Sequence, residues 1–394
     1  MENELLASDT IRRSIKGAQA PPSNQNTQHK TIATAPTAIV YCEGNFAKID
    51  GKTANGLVRY SQAYRIVSVI DAAHDGSDSG QVLDGIENQI PIFATLDAAV
   101  SNQPTVPKTF IFGMAPSTGR LSPTDRSVVL SAIAHGMNIV SGLHEYLSDD
   151  AEISGAALLR NVTIRDIRKP RPSKDMRLFD GSVADVKAVR IAVLGTDCAI
   201  GKRTTATVLE GALNALGIKT VLIGTGQTGL MQGAKYGVAM DAVPPQFCCG
   251  ELERAIVAAS KTENPDVILI EGQGALSHPA FCTSAFILRG SQPDGVILQH
   301  APKRAHRCDF PNMPMPDPAT EIRLIESFAD TKVIGVTLNH EGMSEAGTMA
   351  AIKDYSIRLG LPVADALISA SDDVVAPVLT AFPKLVSSSC EAAE

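Results

Sequence analysis

A chain of 394 residues exceeds what one hydrophobic core usually organises, since domains cluster near ~100–150 residues, so two domains are expected and a minimal binding module is excluded. With 44% hydrophobic and 20% charged residues it has a globular composition, which rules out a wholly disordered or fibrous protein. The formal charge of −7, from 35 Lys+Arg against 42 Asp+Glu, supplies no global basic field, so neither nucleic acid nor an anionic membrane is an expected partner and any anion must be held locally.

The N-terminus shows no apolar signal core, and no apolar run approaches the ~20 residues that span a bilayer, so a soluble protein is expected. Seven cysteines, Cys42, Cys198, Cys248, Cys249, Cys282, Cys308 and Cys390, form no CxxC pair, which points to a reducing cytoplasm rather than a disulfide framework. Residues 1–36 lack sustained apolar periodicity and read as a mobile tail. From Thr37, the runs TAIVY, RIVSVID, IPIF, TFIFG and NIVSG alternate with helical segments. That alternation is the signature of βαβ units, so 37–150 is expected to be a Rossmann-like domain with a parallel sheet. Residues 151–186, carrying most of the charge- and proline-rich stretch DIRKPRPSKDMRLFDGSVADVKAV, are expected to be a linker. A second alternating series opens at RIAVLG and continues through KTVLIG, DVILIEG, DGVILQH and KVIGVTLN, making 187–394 a second α/β domain with a mainly parallel sheet.

The richest segment lies where RIAVLG meets the next helix: Gly195, Thr196, Asp197, Cys198, Ala199, Ile200, Gly201, Lys202, Arg203, Thr204 and Thr205. An apolar strand enters a glycine-bounded turn, then a lysine and a hydroxyl-rich helix start, a geometry that aims backbone N–H groups at phosphate. Five residues separate the two glycines and Arg203 occupies the position where a P-loop carries its Mg²⁺-binding hydroxyl. That departure weakens a metal–nucleotide phosphotransfer centre and favours plain anion binding. At the end of DVILIEG, Glu271 faces the crevice where open parallel sheets bind ligands.

The loop GTDCAIGKRT resembles that of dethiobiotin-synthetase-like P-loop proteins, as does DVILIEGQGALSHP. Taken with KTANGLVRYS, IPIFATLDAAV, NIVSGLHEYLSDD and TGQTGLMQG, these motifs resemble a two-domain family that includes D-glutamate N-acetyltransferase. The resemblance implies transfer of the acetyl group of acetyl-CoA to the amine of D-glutamate, with the loop holding the cosubstrate's phosphates and no metal required. Such chemistry needs a base for the ammonium proton and donors for the tetrahedral oxyanion. Glu271, His278 in GALSHP and His300 after DGVILQ are the candidates, all near C-terminal strand ends. Lys303, Arg304 and Arg307 form a cationic cluster suited to carboxylates or phosphates, and Gln227 and Gln232 in GTGQTGLMQG are candidate substrate contacts.

Other features carry less. Lys52 and Thr53 follow a glycine pair with the wrong spacing for a P-loop, and Asp71 ends the second strand without a dinucleotide glycine motif beside it. His144 and Glu145 follow the last strand of the first domain. Cys248 and Cys249 lack spaced partners and are expected to be buried thiols rather than zinc ligands. Cys198 sits in a positive environment, but acyl-enzyme chemistry would require a positioned base. The competing readings are an ATP- and Mg²⁺-dependent ligase or kinase of the dethiobiotin-synthetase type, and a non-enzymatic nucleotide-binding regulator. A homo-oligomer is expected only because symmetric assemblies are common among metabolic enzymes.

Overall fold

The computed structural model describes residues 34–116 and 118–386; the tail expected over 1–36 lies, for residues 1–33, outside the described residues. The described residues divide into two compact units, one within 34–175 with 226–244 and one within 176–225 with 245–386.

In the first unit, the short apolar runs become β1 (Thr37–Tyr41), β2 (Arg65–Ile70), β3 (Ile92–Phe93), β4 (Thr109–Phe112), β5 (Asn138–Ser141) and β6 (Ile164–Asp166). They form a six-stranded sheet in the order β3-β2-β1-β4-β5-β6, parallel at every pairing. Helices α1 (Lys52–Tyr60), α2 (Ser79–Asp84), α3 (Leu96–Ser101), α4 (Pro123–Ala134) and α5 (Ala151–Arg160) connect them. Ile39, Val40, Phe110, Ile111 and Ile139 are fully buried on the central strands, as continuous apolar strands covered on both faces require. Residues 151–166, expected as linker, hold α5 and β6 of this sheet: Asp150 caps α5 by accepting from the N–H of Glu152 and Ile153.

The second unit begins with β7 (Val189–Gly195), α6 (Lys202–Ala215) and β8 (Thr220–Gly224). Residues 226–244 then return to the first unit, with α7 spanning Gln227–Gln232. Sequence reading assigns this stretch to the second domain. The difference has a physical cause in the first unit's own contacts. Met231 joins its apolar core, and the Gln232 carbonyl accepts from the N–H of Gln62 at 2.7 Å. Gly56 leaves room for the Gln232 amide, which would lie 2.9 Å from a Cβ at that position.

The second unit continues through α8 (Pro245–Glu263), β9 (Val267–Glu271), α9 (Thr283–Ser291), β10 (Gly295–His300) and a two-stranded antiparallel ribbon of β11 (His306–Arg307) and β12 (Phe310–Pro314). It closes with α10 (Pro318–Phe328), β13 (Val333–Leu338), α11 (Glu345–Leu359), β14 (Val363–Asp365) and α12 (Ser371–Ala381). Its main sheet runs β14-β13-β10-β7-β9-β8, parallel throughout. This order sets β7 between β9 and β10, so the C-terminal ends of three strands meet at one edge. Among the described residues, no helix is long and apolar enough to cross a membrane.

Candidate active site

The loop from Gly195 to Lys202 crowns the central strand, and its shape begins with two glycines. A Cβ on Gly195 would lie 2.9 Å from Cδ of Lys202 and from Cδ1 of Ile200, so only glycine lets the lysine stem fold back over the turn. Ala199 and Gly201 take positive φ of 47° and 101°, which curls the backbone at the start of α6. No side chain caps that helix, and the N-terminal end of a helix favours an anion.

The five carbonyls from Thr196 to Ile200 are each tied to a side chain. Thr196 O accepts from Arg307 at 3.2 Å and Asp197 O from Lys202. Cys198 O and Ala199 O accept from Arg304 at 3.3 and 2.9 Å, and Ile200 O from Asn339 at 3.0 Å. Among the described residues, no hydrogen bond takes the N–H of Cys198, Ala199, Ile200 or Gly201. The carbonyls are therefore anchored while the amides stay available, which is the arrangement an anion-binding nest needs. Arg304 is itself held by Glu341 at 2.7 Å. Both arginines of the expected substrate cluster thus brace the loop, whereas Lys303 is exposed.

The candidate bases sit around this loop in different states. Glu271 pairs in register with Val193 of β7, is buried, and accepts the Thr225 N–H at 3.0 Å. His300 contacts the Thr196 hydroxyl through Nδ1 at 3.0 Å and the Tyr355 hydroxyl through Nε2 at 3.2 Å. Burial pushes its pKa down to about 4, so the ring is neutral near pH 7. His278 is buried between Phe281, stacked at 4.7 Å, and Phe310 at 5.6 Å. Burial first, and then the charge of Arg307, lower its pKa. The turn that carries it is fastened by Glu321, whose carboxylate accepts from the N–H of Leu276 at 2.6 Å and the hydroxyl of Ser277 at 2.6 Å.

Within the loop, Asp197 Oδ2 accepts the Cys308 N–H at 2.8 Å, while Oδ1 lies 3.8 Å from His278 Nε2. The Cys198 thiol is more acidic than usual because of its interaction with Cys308 and then the charge of Lys202; the same interaction, and then burial, push the Cys308 thiol up, and that thiol donates to Asp309 Oδ2 at 3.3 Å. Thr205 donates to Gln299 at 2.6 Å; Arg203 and Thr204 are half-buried on the first turn of α6. Gln227 and Gln232 lie in the other unit, where Gln227 accepts from Arg168 at 2.8 Å and Gln232 donates to the Gly56 carbonyl at 2.6 Å. His144 and Asp71 are also there, Asp71 occupied by the Gly44 N–H at 2.8 Å and by His74 at 2.6 Å. Asn339, Glu341, Glu321 and Tyr355 were not read from the sequence, and no local motif marks them.

Comparison with known proteins agrees with this architecture. Residues 72–170 match the domain of unknown function DUF1611_N, described as Rossmann-like, and residues 177–375 match DUF1611_C, described as a P-loop domain. A D-glutamate N-acetyltransferase from Tritonibacter scottomollicae is 31% identical over 66% of this chain and 77% of its own length. Another from a Pseudoalteromonas species is 34% identical over 68% and 80%. A crystal structure of a DUF1611 family protein from Anabaena variabilis is 30% identical, with a TM-score of 0.81 over 88% of this chain and 99% of that one. With both domains matched in order and relatives this similar along most of their length, the chain belongs to the DUF1611 family.

Proposed function

We propose that this protein is an N-acetyltransferase that moves the acetyl group of acetyl-CoA to the amine of D-glutamate. The relatives named D-glutamate N-acetyltransferase support the reaction class and the acceptor. The observation that carries the donor is the loop itself, with its five consecutive carbonyls bound to side chains and the amides of 198–201 free. Such a nest, with Lys202 beside it, suits the diphosphate of coenzyme A and needs no triphosphate cleavage.

Transfer requires a neutral amine, so one proton leaves the ammonium before attack and a second leaves nitrogen as the amide forms. Glu271 is the foremost base in this reading, because it ends the strand beside the loop while both nitrogens of His300 already contact hydroxyls. His278 is the second candidate. The test is thiol release from acetyl-CoA across D- and L-amino acids, without ATP or Mg²⁺, with mass detection of the product. N-acetyl-D-glutamate formation supports the proposal. ADP or phosphate release from ATP, with no thiol release, transfers the protein to the ligase or kinase reading.

A further inference from the structure

Three segments far apart in sequence bring sulfur, imidazole and carboxylate to one point. A carboxylate oxygen of Asp197, Cys198 Sγ and a ring nitrogen of His278 lie within 4.8 Å of one another, as do Cys198 Sγ, Cys308 Sγ and a carboxylate oxygen of Asp309. His278 Nε2 is also 3.9 Å from Asp309 Oδ2, so the two triads form one cluster. We propose that Asp197, Cys198, His278 and Cys308 form a binding site for a thiophilic divalent cation of the zinc class, with Asp309 on its solvent side.

Two buried atoms point to a ligand here. Asp197 Oδ1 and His278 Nε2 belong to fully buried side chains, and neither has a hydrogen-bond partner. Leaving polar atoms buried and unpaired is costly, so such pairs call for an occupant. Their separation of 3.8 Å fits one. Tetrahedral zinc with bonds of ~2.0–2.3 Å holds its ligand atoms ~3.3–3.8 Å apart.

The donor set selects the metal class. Two sulfurs and an imidazole favour zinc over magnesium or calcium, which prefer all-oxygen shells. Around the ligands, the Cys308 N–H occupies Asp197 Oδ2 and so leaves Oδ1 facing the cluster. The Arg307 guanidinium, 3.9 Å from Oδ1, offsets part of the negative charge that two thiolates would add. Both thiols must lose their protons on binding, so affinity should rise with pH. Both cysteines are partly exposed, which provides entry from solvent. Ligation through Nε2 requires the proton on Nδ1, so loading must break the 3.3 Å contact from the Ala280 N–H to Nδ1; Pro279 and Ala280 are exposed and have room to turn. The bound ion ties the loop, the turn after β9 and the ribbon together. The ligands include His278 and two residues of the loop, so an ion bound here takes His278 out of the candidate bases, while the cation titration below reads binding without reference to acetyl transfer.

The test uses the full-length reduced protein, titrated with Zn²⁺ against a chromophoric chelator and dialysed before elemental analysis, with Co²⁺ as the spectroscopic probe. The expected result is one tightly held cation per chain and a thiolate-to-cobalt charge-transfer band. Cys198→Ser, Cys308→Ser and His278→Gln should each weaken binding at least about tenfold, whereas Cys282→Ser, at an exposed position, should bind as before. Cobalt absorption of the unsubstituted protein decides the matter even if a variant misfolds. No retained cation, a cobalt spectrum without the thiolate band, or equal binding by the Cys198 and Cys282 variants overturns the proposal.

Discussion

Replacing Lys202 by Met isolates the charge at the centre of the loop. The lysine is only 5% exposed, its stem packs across Gly195, and its ammonium donates to the Asp197 carbonyl. Methionine keeps an unbranched stem of similar length and removes the charge. A charged hydrogen bond to phosphate contributes ~1.5–3 kcal/mol, and ~1.4 kcal/mol corresponds to a tenfold change in affinity, so Lys202→Met should weaken coenzyme A binding about 10- to 100-fold. The diphosphate lies far along the cosubstrate from the reacting carbonyl and is bound equally in ground and transition states. KM for acetyl-CoA should therefore rise by a similar factor while kcat at saturation stays within a few-fold. The uncovered Asp197 carbonyl costs a further ~1–3 kcal/mol of stability, so thermal unfolding must first show that the variant is folded at the assay temperature. Calorimetric titration with coenzyme A and initial rates of thiol release then give both numbers. Unchanged affinity, or a fall in kcat with KM constant, would show that the loop does not hold the phosphates.

Three further outcomes follow from the same geometry. Glu271→Gln preserves an acceptor for the Thr225 N–H but removes the base, so turnover should drop by roughly 10²–10⁴-fold with coenzyme A affinity nearly unchanged; full activity by the thiol assay would pass the role to His278. For His300, the folded-state pKa of about 4 lies below the ordinary 6.5, so the unfolded chain binds the extra proton first. Its contribution is complete above pH 6.5 and is lost as pH falls toward 4, on the order of 3 kcal/mol over that window. Denaturant midpoints against pH should show this slope, and His300→Asn should flatten it. Finally, direct transfer to the amine leaves no acetyl group on the enzyme even though Cys198 lies near His278. Intact-protein mass after exposure to acetyl-CoA alone should be unchanged, and acetylated Cys198 would replace direct transfer with a covalent route.

Much of the architecture was legible in the sequence because its signals are local. Apolar runs such as IAVLG and VILIE announce buried parallel strands by composition alone, and β7 and β9 form where those runs stand. The loop was legible too, since glycine spacing, Lys202 and the hydroxyls that follow lie within a dozen consecutive residues. The boundary at 151–186 was not. Charge and proline there resemble a linker, yet β6 is short enough to carry no apolar pattern and is fixed by pairing with β5.

What the sequence by itself determined, then, was the strand-and-helix alternation and the phosphate-type turn, each written in residues that touch along the chain. Tertiary structure alone decided which side chains surround the turn. Arg304, Arg307 and Asn339 reach its carbonyls from more than a hundred residues away, and Asp197, His278 and Cys308 meet only because β7 lies between β9 and β10. Hydrophobic periodicity sets which face of a strand is buried, but strand order and crossover path set the neighbours, and no short-range pattern encodes that order. The same holds for residues 226–244, whose place in the first unit rests on Met231, Gln232 and the space left by Gly56.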